Sequence, residues 1–221
     1  MEVAAINLAR SLAWVEPIDL NPTASVFYPD FAKAIVARYK FQKFPQKFED
    51  FDVTKGIIFA GGRFENTTIE QLSIYAFGIA LDTRVSTEES KRVLEEAFAW
   101  AGKELKLSYK PSMLKRWQYL SQINFYSEAP LTAISPAIQT LAAAVGGNIA
   151  GITGENLRYE LTTLVVDYDQ LARKHPLGRF SIQRRDNTPF SENKYFSDAP
   201  LPTETHIRLL REFEAAILAK G

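Results

Sequence analysis

Between Gly56 and Thr83 the apolar residues sort onto the two faces of strands, and from Ser86 onward they recur at helical spacing instead. Such a change of period, from two to about 3.6 residues, marks a run of strand giving way to a helix. Within the first of these stretches, Gly56 to Phe64 reads as one strand, Asn66 and Thr67 as turn chemistry, and Ile69 to Thr83 as a second, long strand. Ile69, Tyr75, Phe77, Ile79 and Leu81 fall on one face of that strand, and Leu72, Ile74 and Ala76 on the other. A strand apolar on both faces is expected at the centre of a sheet, covered on both sides. Ser86 with Glu89 three residues on is a capping box. The helix it opens buries a stripe of Val93, Leu94, Ala97, Phe98 and Ala101.

The rest of the chain supplies the same kinds of element. A helix is expected over Phe31–Tyr39, with Asp30 as N-cap. In the second half Trp117, Tyr119, Ile123 and Phe125 alternate along a strand, and a small-residue helix follows from about Ile134 to Val145, stopped by Gly146 and Gly147. Strands are expected at Leu157–Val166, Arg179–Arg185 and Lys194–Phe196, and a last helix from Thr203, packed through Ile207, Leu210, Phe213 and Ile217. The fold class is therefore α+β, an antiparallel sheet with packed helices. The coarse order β-α-β-β-β-α reads twice, with a seam near Leu107–Pro111, so the 221 residues make a single globular domain that divides into similar halves, 1–108 and 109–221, if the unit is a tandem duplication. Tyr126–Leu131 (YSEAPL) and Phe196–Leu201 (FSDAPL) match as strand exits blocked by proline. Saddle-shaped TATA-binding-type folds have a similar element order, a likeness that carries no function.

Composition narrows the function classes by exclusion. The chain balances 26 basic against 26 acidic side chains. Binding to nucleic acid draws on phosphate neutralisation, which shows as a basic excess, so nucleic acid is a disfavoured partner. With no cysteine, disulfides, thiolate nucleophiles and Cys-based metal sites drop out, which fits a cytoplasmic protein. Glu2 and Arg10 interrupt the first apolar stretch and make it a poor signal peptide. No apolar run approaches the length of a membrane span.

Candidate chemistry is sparse. The stretch Gly146–Glu155 follows a helix instead of opening one, and it lacks the Lys-Ser/Thr pair of a phosphate loop; it reads as a flexible helix-to-strand connection. The two histidines, His175 in a basic turn and His206 in the first turn of the last helix, have no nucleophile-elbow pattern beside them. Asp167 and Asp169, with Glu160 or Asp186, are the carboxylates that could gather round Mg²⁺, though their spacing does not select them. Neither a catalytic residue, a metal site nor a cofactor emerges. The strand ending in Arg184-Arg185-Asp186 presents Arg179, Arg185 and Asp186 as candidates for an anionic ligand. Ser127/Glu128 and Ser197/Asp198 read as turn or capping pairs.

Phe41, Phe44 and Phe48 interleave with Lys40, Lys43 and Lys47 and are the candidate interface. Exposed rings there would mark a partner surface, and buried rings would mark a core. The expected function is thus non-enzymatic: a regulatory or binding protein working through contact with a protein partner or with itself as a homodimer. A small-molecule binder or enzyme with a pocket between sheet and helices, and nucleic-acid binding through the sheet face, are the alternatives.

Overall fold

The computed structural model describes residues 1–114, 116–131, 134–169, 171 and 177–219. The protein is α+β, with strands β1 (Glu2–Ala13), β2 (Ile57–Phe64), β3 (Thr67–Tyr75), β4 (Gly78–Thr83), β5 (Trp117–Tyr126), β6 (Thr163–Val166), β7 (Phe180–Arg184) and β8 (Lys194–Ala199). Its helices are α1 (Pro17–Leu20), α2 (Tyr28–Tyr39), α3 (Thr87–Glu104), α4 (Pro136–Thr153) and α5 (Thr203–Leu218). Contacts divide the chain into two units. One holds Ile6–Ser121 with Leu201–Thr203, and the other Met1–Ala5, Gln122–Pro200 and Glu204–Gly221. Within the first unit the strands stand in the order β2-β3-β4-β1, and within the second in the order β5-β8-β7-β6. The pairs β1/β4, β2/β3, β3/β4, β6/β7 and β7/β8 are all antiparallel.

In the first unit, Ala9, Ser11 and Ala13 of β1 are fully buried and alternate with half-exposed neighbours. This strand was not assigned from sequence, because its opening residues are apolar on both faces. Arg10, in mid-strand, is fixed by a two-pronged bond to the Asp82 carboxylate directly across the ladder on β4, both arms at 2.7 Å. The core gathers Ile35, Tyr39, Phe41, Phe59, Leu72, Leu81, Val93, Leu94 and Phe98.

Four features differ from the sequence expectation. Ile69–Thr83 is not one strand but a hairpin, with Ala76 and Phe77 at its tip and Tyr75 paired to Gly78. Gly78 is required there, since a Cβ would stand 2.6 Å from the Ala13 carbonyl oxygen. Asp30 is not the cap of α2; the helix begins two residues earlier, with Phe27 in the extended cap conformation and Pro29 in the first turn. Helix α4 does not stop at Gly146–Gly147 but runs to Thr153, where Gly154 takes the left-handed conformation at φ 75°. Gly146 is the buried residue of this helix, and a Cβ there would meet the Leu157 carbonyl oxygen at 2.9 Å. Close backbone approach, not helix termination, is the reason for that glycine. Of Leu157–Val166, only Thr163–Val166 is strand.

The capping box at α3 is half formed. The Glu89 N–H donates to Ser86 Oγ at 3.1 Å, while the Glu89 carboxylate turns to Arg92 and to the Thr67 hydroxyl. Arg92 holds that carboxyl down at a pKa of about 2. Thr87 and Thr203 cap each other, each backbone N–H donating to the other's Oγ1, at 3.0 and 2.7 Å. Thr203 is thus the first helical residue of α5, one place inside the expected cap position.

In the second unit Ile123, Phe125, Leu131, Ile182, Tyr195 and Leu210 form the core, with Ile207, Phe213 and Ile217 packed on it as their spacing predicts. The two six-residue matches both belong to the second half, one leaving β5 and the other leaving β8. They do not occupy corresponding places in the two halves, so what they share is corner chemistry.

Candidate functional site

The site is built by α2 and the chain that follows it. Lys40 ends the helix in the left-handed region, at φ 57°, and its N–H reaches back to the Val36 carbonyl at 2.8 Å. Phe41 then drops into the core, 5.5 Å from the Phe59 ring and over Gly62, whose missing Cβ makes the room. Of the three phenylalanines proposed from sequence as an interface, Phe41 is therefore a core residue, 4% exposed. Its neighbours Gln42 and Lys43 bond to the Ala60 backbone and close the free edge of β2.

From Phe44 the chain leaves the sheet. Its next ten residues are fixed by their own carboxylates. Asp50 accepts the N–H groups of Gln46 and Lys47, both at 2.9 Å, and these bonds hold its pKa below the ordinary carboxylate value. Asp52 accepts the Thr54 hydroxyl at 2.6 Å and the Thr54 N–H at 2.9 Å, with the same consequence for its pKa. Phe51 turns inward, with its ring 6.2 Å from Tyr28. Phe48 turns outward and is 91% exposed. A ring this exposed on a loop tied by four local hydrogen bonds is presented to solvent by construction.

Phe48 forms one side of a groove of about 1070 Å³. It is also lined by Tyr28, Pro29, Ala32, Val36 and Ala37 of α2, by Phe27 just ahead of the helix, and by Phe44 and Pro45 on the loop. Phe27 is 64% exposed and Phe44 37%, so the apolar lining is open to water. Lys33, Lys47 and Lys55 stand on the lip with Glu49 and Asp52. Sequence spacing pointed to Phe44 and Phe48. It missed Phe27 and Tyr28, whose signal was a pair of aromatics just ahead of Pro29, at a helix start placed too late.

The other candidates do not converge. Arg179 is paired with Asp167 at 2.8 Å. Arg185 is exposed, with its guanidinium 5.9 Å from the Phe196 ring, and Asp186 is exposed in the following turn. Neither the groove at α2 nor a second one beside α4 is lined by any of these three residues. The buried arginine of this strand is Arg184, bonded to Glu160 at 2.6 Å and to the Phe190 carbonyl at 2.9 Å, and stacked between Phe190 and Tyr195. Asp169 accepts the Leu171 N–H at 2.9 Å. Among the described residues no group of three histidine or carboxylate side chains is placed to hold a metal ion, and no helix is long and apolar enough to cross a membrane.

His206 is fully buried, with Nε2 2.8 Å from Ser197 Oγ. Ser197 Oγ also lies 2.7 Å from the Ser181 carbonyl oxygen, which can only accept, so the serine proton is committed there and Nε2–H donates to the serine. The pair is therefore the reverse of an activated nucleophile, in which histidine must accept from serine. His175 lies outside the described residues. Ser127 Oγ donates to Glu214 at 2.7 Å and accepts the Ala129 N–H at 3.2 Å, and the Glu128 N–H donates to the same Glu214 oxygen at 2.9 Å, turn bonds that tie the exit of β5 to α5. The chain matches no protein-family model and no curated protein.

Proposed function

We propose that this is a non-enzymatic binding protein and that the groove between α2 and the Phe44–Lys55 loop takes a segment of a protein partner. The observation that carries this reading is Phe48, 91% exposed on a loop whose backbone is held by hydrogen bonds. Rigid aromatic anchors beside an apolar floor contribute most of the free energy in protein interfaces, because they bury large area at little entropic cost. The lining of α2 advances by three and four residues, Pro29, Ala32/Lys33 and Val36/Ala37. Small side chains along that row leave space for the ridge of an incoming amphipathic helix. The lysines of the lip favour acidic residues flanking the apolar stripe of such a segment.

Selection from a displayed peptide library tests the proposal. The native chain should enrich sequences with apolar residues at helical spacing, and Phe48→Ser should weaken the selected peptides by on the order of 30-fold, the cost of an aromatic hot spot. Enrichment that ignores Phe48, or none at all, would remove the groove as the binding site. A small apolar ligand is the second reading, favoured by a groove volume near the upper end of ligand pockets. Native mass spectrometry distinguishes it by a discrete retained mass above 24.9 kDa.

A further inference from the structure

Helix α4 is unlike the other long helices. Residues 134–154 contain no ionisable side chain, whereas α3 and α5 carry charges along their outer faces. A surface helix normally shows polar or charged residues to water. Yet Leu141 of α4 is 64% exposed and Ile152 80%, with Ile134 and Val145 also exposed. The exposed apolar residues fall in a defined row. Half-buried Ile138 and exposed Leu141, Val145, Asn148 and Ile152 are separated by three, four, three and four residues. That is the spacing of a seam between two helices, in which one polar residue such as asparagine fixes register. Beside the row, Gly151 has open space where a Cβ would stand, which permits close approach of another backbone.

We propose that this row is a self-association surface, and that α4 packs against α4 of a second copy of the chain. Three arguments select a second copy over other occupants. The heptad spacing calls for a helix of matching spacing, and α4 supplies one. An isologous contact sets each residue against its own surface, which is penalised where the surface is charged and free of that penalty where it carries no charge. The area also suffices. A helix of 18 residues is about 27 Å long and about 11 Å across, so half its side offers roughly 470 Å² per copy. Two such faces together come to about 940 Å², the size of a weak, reversible interface at the low end of the range. The surface is made wholly of residues from the second unit, whereas the groove at Phe48 is made of residues from the first.

Sedimentation equilibrium of the full chain provides the test. The native protein should show a concentration-dependent mass approaching twice 24.9 kDa. Leu141→Glu combined with Ile152→Glu places unpaired carboxylates in the seam and should raise the dimer dissociation constant by on the order of 100-fold or more, with unchanged circular dichroism. Phe48→Ser should leave the dimer intact, so that loss of groove binding and loss of dimerisation are read separately. Should the glutamate pair disturb the fold, single cysteines introduced into this cysteine-free chain give an independent readout. Ala144→Cys, at the helix midpoint, should cross-link two copies on mild oxidation, and Phe48→Cys should not. A native protein that stays at 24.9 kDa at every concentration would overturn the proposal. So would a dimer indifferent to the α4 substitutions, or a monomer whose α4 binds lipid vesicles instead.

Discussion

His206 has neighbours that satisfy Nε2 through Ser197 but leave Nδ1 without a partner, and burial lowers its pKa to about 4. Its ordinary value is 6.5, so on acidification the unfolded chain takes up the proton before the folded one does. Stability should be unaffected by this group above about pH 6.5 and fall as pH drops toward about 4, by about 3 kcal/mol in all. Urea unfolding across that window, compared with His206→Gln, measures it. The native protein should lose stability more steeply, and equal losses in the two would assign the acid sensitivity elsewhere. Glu89, held at about 2 by Arg92, loses its contribution at a lower window, as pH falls from its ordinary value of 4.5 toward 2.

At the scale of elements, close approach decides what a propensity scale would not. Gly62 lies in β2 beneath Phe41, and a Cβ there would stand 2.5 Å from the ring. Gly62→Ala should therefore destabilise the protein by about 1–3 kcal/mol, the cost of overpacking a filled core. Phe41→Leu, harmful alone, should recover part of that loss when combined with it. Chemical denaturation of the two single variants and the double variant closes the cycle, and strict additivity would mean that the alanine does not press on the ring. Gly146 belongs to the same class. Read alone it resembles a helix stop, but the Leu157 carbonyl oxygen passing beside it explains why α4 continues through it. The true stop, Gly154, differs by its positive φ, a property invisible in the letters.

At the scale of the whole molecule, each unit presents a cluster of exposed apolar residues. Phe27, Tyr28, Phe44 and Phe48 line the groove of the first, and Leu141, Val145 and Ile152 lie on α4 of the second. If α4 joins two copies, folding and association are linked, and the thermal midpoint should rise with protein concentration. Scanning calorimetry over a wide range of concentration should show this for the native chain and a flat response for Leu141→Glu/Ile152→Glu. A flat response in both would mean that no copy-to-copy contact contributes to stability.

The α+β class, the helix opened by Ser86, the strands at β2, β5, β7 and β8 and the packing face of α5 were all legible in the sequence. Each depends on hydrophobic period or on hydrogen bonds within a few residues, which are local properties of the chain. What needed tertiary structure were the properties fixed by residues distant in sequence. The hairpin inside Ile69–Thr83 brings Gly78 against the Ala13 carbonyl, a contact between distant residues that leaves no room for a side chain. The burial of Phe41 beside an exposed Phe48 follows from Gly62 and from the bonds that hold the loop away from the sheet. Alternation of aromatic and lysine residues gave those two rings the same standing. Contact with β2 separated them, because whether a side chain leaves water is decided by what the rest of the fold brings over it.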